Sequence, residues 1–458
     1  MSDARAVPGL RSLTEQWDNR ALFRLLWPLV VEQVLAITIG LADTVMVARP
    51  MGEHAVSGVS LVDAINQLLI IAFGALATGG TVVVSQYIGR RKLHSARLAS
   101  RQLIYASTVV SLGIMALALV LRRPILQLIY GQIAEDVMRA AEIYFFLSAL
   151  SYPFLALYNA AAALYRSVGN SRVTMLVAVL VNILNIGGNA LFIFGFHWGV
   201  TGVGLATLIS RVVAAAVLIG LLLYSRSAAV SLSGLFHIRL QPVTIRSILK
   251  VGVPNGLESS MFQIGKLLVS RIFTTFGTAA IAANAITASI TAFSFMPANA
   301  ISLALLTIVG QCAGAADYTA AKKLTAKLMK LTYGSVFVLS VITIIFMDTL
   351  LGIFGLTQEA VTIAKQLLWI HCVMAPISWS ISFSLPNALR ASGDVRYCMV
   401  VATVSMWLVR VLTSYLLAYP LGFGPAGVWY AMVADWCVRG VCYASRWKSG
   451  KWQSKAVI

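Results

Sequence analysis

Charge is what this chain has least of. Asp, Glu, Lys and Arg make up only 11% of its 458 residues, while apolar residues make up 59%. Soluble domains carry about 25% charge, so there is too little polar surface here to cover a water-soluble fold. Acid is scarcer still, with 16 Asp and Glu against 35 Lys and Arg. The five cysteines, Cys312, Cys372, Cys398, Cys437 and Cys442, form no CxxC pair. They read as small apolar core residues. The five histidines, His54, His94, His197, His237 and His371, are scattered without metal-ligand spacing. No Walker A motif is present, so ATP is not expected to drive the protein directly. The first residues are polar, and the first apolar stretch is too long for the core of a signal peptide.

What is present is a series of apolar stretches, each about 20 residues long and able to cross the hydrocarbon core. About twelve meet that length, at 22–48, 56–84, 98–121, 137–160, 172–195, 200–224, 247–274, 280–309, 324–347, 360–385, 397–418 and 425–445. The fold class is therefore an all-α integral membrane protein. Short loops join the spans, so no sizeable soluble domain is expected.

The formal net charge is +19, which in a soluble protein would suggest nucleic acid. Its placement suggests lipid instead. Arg20 and Arg24 precede the first span, Arg90, Arg91 and Lys92 follow the second, and Arg166 and Arg172 follow the fourth. The pattern continues with Arg246 and Lys250, with Lys322 and Lys323, with Arg390 and Arg396, and with Arg446 and Lys448. All fall on one side of the membrane, and Arg122 and Arg123 are the exceptions. The positive-inside rule puts both termini in the cytoplasm. Anionic headgroups are the expected partner of these loops, and no nucleic acid is needed.

The chain also repeats itself. Pro28-Leu29-Val30-Val31-Glu32 answers Pro254-Asn255-Gly256-Leu257-Glu258, offset 254 − 28 = 226. Gln86-Tyr87-Ile88-Gly89 answers Gln311-Cys312-Ala313-Gly314, offset 311 − 86 = 225. Arg166-Ser167-Val168-Gly169 answers Arg390-Ala391-Ser392-Gly393, offset 390 − 166 = 224. Gly199 to Val203 answers Gly424 to Val428, offset 424 − 199 = 225. Six spans per half return each half to its starting side, so the repeat is parallel, a common transporter plan. The expected organisation is an N-terminal segment (1–20), an N-lobe (21–224), a polar linker (225–246), a C-lobe (247–446) and a tail (447–458). Pro153, Pro297 and Pro376 fall inside spans, where proline kinks a helix.

Polar groups inside the spans are the functional candidates, because an acid at the bilayer centre costs about 2.5–3.5 kcal/mol. Glu32 and Asp43 lie close to three turns apart, on one face. Asn182, Asn185 and Asn189 form an i, i+3, i+7 stripe, and Thr207 lies on the next span. Carboxylate, amide and hydroxyl oxygens could converge on Na⁺ or hold a proton. Interhelical hydrogen bonding is the alternative use of the stripe, and snorkelling or pairing with Arg49 is the alternative for Asp43. Asp63, with Asn66 at i+3, reads as an interfacial acid or a site. Glu258, Lys266, Arg410, Asp435 and Arg439 read as structural ion pairs or as a second site. Asp435 and Arg439 are i, i+4 and can pair on one helix. The ten Trp could line a cavity for flat cations, although most are expected to face lipid.

In this order, the motifs resemble the multidrug and toxic compound extrusion family, MATE. The resemblance runs from about Trp27 to Trp452. It rests on Pro28-x-x-x-Glu32-Gln33, Ala42-Asp43-Thr44-Val45-Met46-Val47, Gln86-x-x-Gly89 and Asn185-x-x-x-Asn189. Gly202-x-x-x-Ala206-Thr207, Pro254-x-x-x-Glu258 and Asp435-Trp436-x-x-Arg439-Gly440 complete it, with the tail Arg446 to Trp452. The tail and the Glu32-Gln33 pair resemble bacterial NorM and DinF-like members. The resemblance implies two six-helix lobes and antiport of organic cations against H⁺ or Na⁺ by a monomer, with no cofactor. It implies that Asp43 is the coupling acid and that Asn185 and Thr207 belong to the N-lobe cation site, Na⁺ being one candidate ion. Asn189 departs from the DinF-like pattern, which has Asp there, and so leaves one formal charge in that site. Glu258 does not match the C-lobe cation carboxylate of NorM-type members, whose place is taken by Phe262. A flippase for lipid-linked sugars, of the same broader superfamily, is the second reading and would need a basic cavity. A membrane enzyme is a distant third.

Overall fold

The computed structural model describes residues 12–48, 52–131, 134–225 and 229–458, with the backbone alone at 39–45, 47–48 and 52–53. A short α1 (Leu13–Gln16) leads into α2 (Asn19–Ala48), α3 (Gly52–Gly89), α4 (Leu93–Tyr130), α5 (Glu135–Ser167), α6 (Ser171–Ala190) and α7 (Gly199–Leu223). The second half holds α8 (Pro242–Thr274), α9 (Thr278–Ser294), α10 (Met296–Gly314), α11 (Tyr318–Ile345), α12 (Met347–Gly352), α13 (Gln358–Trp379), α14 (Leu385–Ala391), α15 (Val395–Val404), α16 (Leu412–Ala418) and α17 (Gly424–Lys448). Three π-helical turns interrupt longer helices: Leu191–Gly195 after α6, Ser380–Ser384 between α13 and α14, and Ser405–Val411 between α15 and α16.

Local chemistry sets several of these ends. Asp18 Oδ1 accepts from the Ala21 amide at the start of α2, and Asp317 Oδ1 accepts from the Ala320 amide at the start of α11, at 2.7 and 2.9 Å. Such side-chain caps satisfy amides that have no partner in the first turn. Pro242 and Pro425 occupy the opening turns of α8 and α17, where a missing N–H is harmless. The stretch expected to be one span over 280–309 is two helices, broken at Phe295 (φ −98°, ψ −5°), with Pro297 in the first turn of α10. α4 runs past its expected end at 121 to Tyr130, with non-helical dihedrals at Leu121. The exceptional Arg123 sits in that extension, 3.1 Å from Glu135 and 3.5 Å from Glu142.

By length and hydropathy, ten helical runs among the described residues could cross a membrane. α8 and α17 are not among them, because they carry the intramembrane charges Glu258, Lys266, Asp435 and Arg439. The duplication reaches the backbone itself. Gly169 and Gly393 have φ of 77° and 99°, and Gly199 and Gly424 of 55° and 57°. Arg91 and Ala316, 225 positions apart, both take the left-handed region without being glycine (φ 59° and 57°). The two lobes meet where α3 packs against α8 and α10, at the end where Trp17 and Val457 lie. A Cβ on Gly89 would collide with the Gln311 carbonyl, and one on Gly314 with the Gln86 carbonyl. Only glycine lets the backbones approach this closely.

Candidate functional site

The repeated motifs prove to be one set of contacts made twice. Glu32 pairs with Arg166 at 3.0 Å, and its mate Glu258 pairs with Arg390 at 2.5 Å. Gln86 Nε2 donates to the Ala391 carbonyl at 2.8 Å, and Gln311 Nε2 donates to the Ser167 carbonyl at 2.9 Å. Each glutamine oxygen also holds one end of the chain. The Val457 amide donates to Gln86 Oε1 at 3.0 Å, and Trp17 Nε1 donates to Gln311 Oε1 at 3.2 Å. Buried amides and ion pairs persist when each partner is satisfied. The glutamine bonds cross from lobe to lobe, while each ion pair lies within one lobe beside that crossing. Glu32 and Glu258 are thereby engaged by arginines, and Glu32 Oε2 also accepts from Thr174 Oγ1 at 3.0 Å.

Inside the N-lobe lies a cavity of about 690 Å³, lined from α2, α3, α5, α6 and α7, with Leu303 and Leu306 of α10 on the far wall. Among the described residues its charged lining groups are Glu32, Asp63, Arg166 and Arg211, two acids and two arginines. Asp63 lines this cavity. It sits eleven residues into α3 (63 − 52), where Tyr144 OH donates to its Oδ1 at 3.0 Å and Asn66 Nδ2 donates to the same oxygen at 3.3 Å. Tyr152 OH in turn donates to Asn66 Oδ1 at 2.9 Å. These surroundings are tertiary: α5 supplies two phenols that no spacing in α3 reveals. Sequence reading misses Arg211, although a cation inside an apolar span is the same signal that singles out Asp43. Arg211 Nη1 donates to Ser151 Oγ at 2.6 Å.

Asn182, Asn185, Asn189 and Thr207 are all buried. Asn185 Nδ2 donates to Thr207 Oγ1 at 3.4 Å, and Asn189 Nδ2 donates to Asn185 Oδ1 at 3.5 Å. These are long bonds, at the edge of useful geometry. Oxygens held so loosely can turn toward a small cation at little cost. Asn182 Nδ2 bonds the Ala178 carbonyl at 2.9 Å, while its Oδ1 and Asn159 Nδ2 have no partner among the described residues. Both side chains line the cavity. The Asp43 side chain lies outside the described residues. Among the described residues no cluster of three His, Cys, Asp or Glu exists.

A family model described as MatE matches residues 28–191 and 252–416. This chain belongs to the MatE family. The two matched segments coincide with the two halves of the repeat. The protein is accordingly a multi-pass membrane transporter of an ion-coupled antiporter family, and not an enzyme. It is 30% identical to the "Uncharacterized transporter YisQ" of Bacillus subtilis, over 95% of this chain and 96% of that one. A "Probable multidrug resistance protein NorM" of Thermotoga maritima is 26% identical, over 96% and 94%. Among solved structures, an outward-facing MATE multidrug resistance transporter of the MOP superfamily superposes with TM-score 0.87 at 18% identity, over 94% of this chain and 96% of that one. A MOP superfamily transporter from Pyrococcus furiosus, described as having a binding pocket of reverse polarity, also gives 0.87 at 18%, over 94% and 95%. At these identities the two structures establish the fold alone.

In the C-lobe of this MatE protein, Asp435 is fully buried and pairs with Arg439 at 2.8 Å on its own helix. The tryptophans differ from their lipid-facing expectation. Trp17, Trp379, Trp429, Trp436 and Trp452 are buried. Trp379 and Trp436 stack on or abut Phe295 and Phe383, which fill the interior of the second lobe. None of the ten lines the N-lobe cavity; the aromatic rings there, among the described residues, are Tyr144 and Tyr158.

Proposed function

We propose that this protein is a secondary active antiporter that exports amphiphilic organic compounds, organic cations included, in exchange for H⁺ or Na⁺. The observation that supports the reading is the N-lobe cavity. It is large enough for a small drug-like molecule, and the buried Asn185, Asn189 and Thr207 stand beside it. Asp43 is the proposed coupling acid. When it takes up H⁺ or Na⁺, the membrane-embedded charge is neutralised and the N-lobe helices repack. The ion must bind one conformation more tightly than the other; tight binding alone shifts nothing. If the ion is Na⁺, the Asp43 carboxylate, Asn185 Oδ1 and Thr207 Oγ1 supply hard oxygen donors of the right kind.

The positive loops support a cytoplasmic side for the end where Trp17 and Val457 lie. With that orientation, contact between the lobes at that end corresponds to an outward-facing state. A flippase for lipid-linked sugars is the second reading. The balanced lining of the N-lobe cavity does not favour it, because a pyrophosphate would need an excess of positive charge there, whereas Lys266, Arg410 and Arg439 of the C-lobe keep it open.

The test is efflux of ethidium from cells expressing wild type or Asp43→Asn, under an imposed proton or sodium gradient. Wild type should export the dye under one gradient and the variant should not. Equal behaviour of the two proteins, with no export under either gradient, would sink the reading.

A further inference from the structure

The second lobe carries charge that this cycle does not use. Arg410 and Arg439 each set a guanidinium over the ring of Phe262, 5.6 and 5.1 Å from its centroid. Lys266 lies four residues beyond Phe262 on the same face of α8, at the exposed rim of the cluster. The group contains one acid. Asp435 Oδ1 accepts from Arg439 Nε at 2.8 Å and from Ser405 Oγ at 2.5 Å. Its other oxygen has no partner among the described residues, and neither has Arg439 Nη2. Arg410 is only 8% exposed, makes no ion pair among the described residues, and has an unpartnered Nε. Three cations against one acid leave 3 − 1 = +2 formal charges within the membrane. Uncompensated charge at that depth is strongly unfavourable unless an anion or water shares the space.

The position of the group is informative. With the 225-residue offset, Arg410 is the mate of Asn185 (410 − 225), Asp435 of Ser210 (435 − 225) and Arg439 of Ala214 (439 − 225). All three mates line the N-lobe cavity. The fold therefore builds the same place twice and fills it with different chemistry: amide, hydroxyl and methyl in one lobe, two guanidiniums and a carboxylate in the other.

We propose that Arg410, Arg439 and Lys266 form an anion site in the C-lobe, which holds the carboxylate or phosphate group of the exported molecule. A planar guanidinium can grip an oxyanion with two parallel hydrogen bonds, and Phe262 offers an apolar face beside it. The substrates favoured are aromatic amphiphiles that carry an acidic group. The proposal rests on the transport reading for the identity of the ligand as cargo, but the site itself can be tested by binding alone.

Rhodamine 110 and rhodamine 123 are a suitable pair, because they share one cationic ring system and differ as free acid and methyl ester. Binding to the purified full-length protein in phosphatidylcholine nanodiscs is read by fluorescence anisotropy. Wild type should bind the free acid at least about tenfold more tightly than the ester, the scale of one charge-assisted pair. Arg410→Gln and, separately, Lys266→Gln should erase that preference while leaving the ester's affinity in place. Benzoate should raise the melting temperature of wild type above that in equimolar chloride, and should not do so in Arg410→Gln. Equal affinities in wild type, equal losses for both dyes in the variants, or no binding of either dye together with no benzoate shift overturns the proposal. Phosphatidylglycerol in the disc that displaces only the free acid would assign the site to a lipid headgroup and overturn its assignment to cargo. A carboxylate preference without gradient-driven efflux of either dye would leave the anion site standing and remove the antiport reading instead.

Discussion

At the scale of single residues, Glu32 is fixed by its partner, Arg166. Glu32 and Arg166 have side chains only 13% exposed and lie 3.0 Å apart. Removing one member of such a pair strands the other, at about 3–5 kcal/mol. Glu32→Gln should therefore lower the melting temperature of the detergent-solubilised protein markedly, and the charge swap Glu32→Arg with Arg166→Glu should recover part of the loss. A swap that melts no higher than the single variant would show that the pair contributes through packing alone. The crossing between the lobes makes Gly89 and Gly314 sensitive in a different way. Gly89→Ala must push the Gln311 backbone away, an overpacking cost of about 1–3 kcal/mol. Because Gly314→Ala strains the same crossing, the double variant should lose less than the sum of the singles. Strict additivity in thermal melts would mean that the crossing relaxes independently on its two sides.

At the scale of elements, the π-helical turn Ser405–Val411 decides where Arg410 points. A π turn holds one residue more than α-helical winding needs, and one residue rotates the rest of the helix by about 100°. Deleting Val404 should restore regular winding and keep the protein folded, yet swing Arg410 away from Phe262 and abolish the preference for the free-acid dye. Deleting Val400, within regular α15, should destabilise the helix instead. If both deletions melt alike, the π turn is not the spare residue it is taken for. This element also marks where sequence reading stops. The stripe of Asn182, Asn185 and Asn189 is legible because α6 is regular over Ser171–Ala190, and the pair Asp435–Arg439 because it lies within one turn. Arg410 is legible as a charge inside a span, but the direction it takes is not, since no periodicity announces a π turn. The partners of Glu32 and Glu258 come from distant helices, and only the matching offsets of Glu32–Glu258 and Arg166–Arg390 hint at them. The surroundings of Asp63 are hidden for a related reason: from α5, Tyr144 reaches Asp63 and Tyr152 reaches its neighbour Asn66, and contacts between helices leave no trace in the spacing of either.

At the scale of the whole molecule, the lobes share a seam formed by the second half of α3 against the first half of α8. Gly79 lies against the Ile248 carbonyl and Gly252 against the Leu76 backbone. Alternating access by a duplicated carrier requires one lobe to rock against the other, so this seam must open when the cavity turns toward the side of the termini. A covalent bridge across it should stop the cycle without touching any polar group. The Ala75 Cβ lies 3.5 Å from where a Cβ on Gly256 would stand, within the usual Cβ separation of a disulfide, about 3.5–4.5 Å. Ala75→Cys with Gly256→Cys should therefore oxidise readily. Once bridged, the carrier in vesicles should lose gradient-driven dye transport, recover it with dithiothreitol, and keep its dye affinity in the bridged form. Full transport by a carrier whose bridge is verified by mass would show that the lobes do not part at this seam. The cycle would then have to run through repacking inside the N-lobe alone. Those two outcomes separate a rocking carrier from one that bends its first helices around a fixed frame.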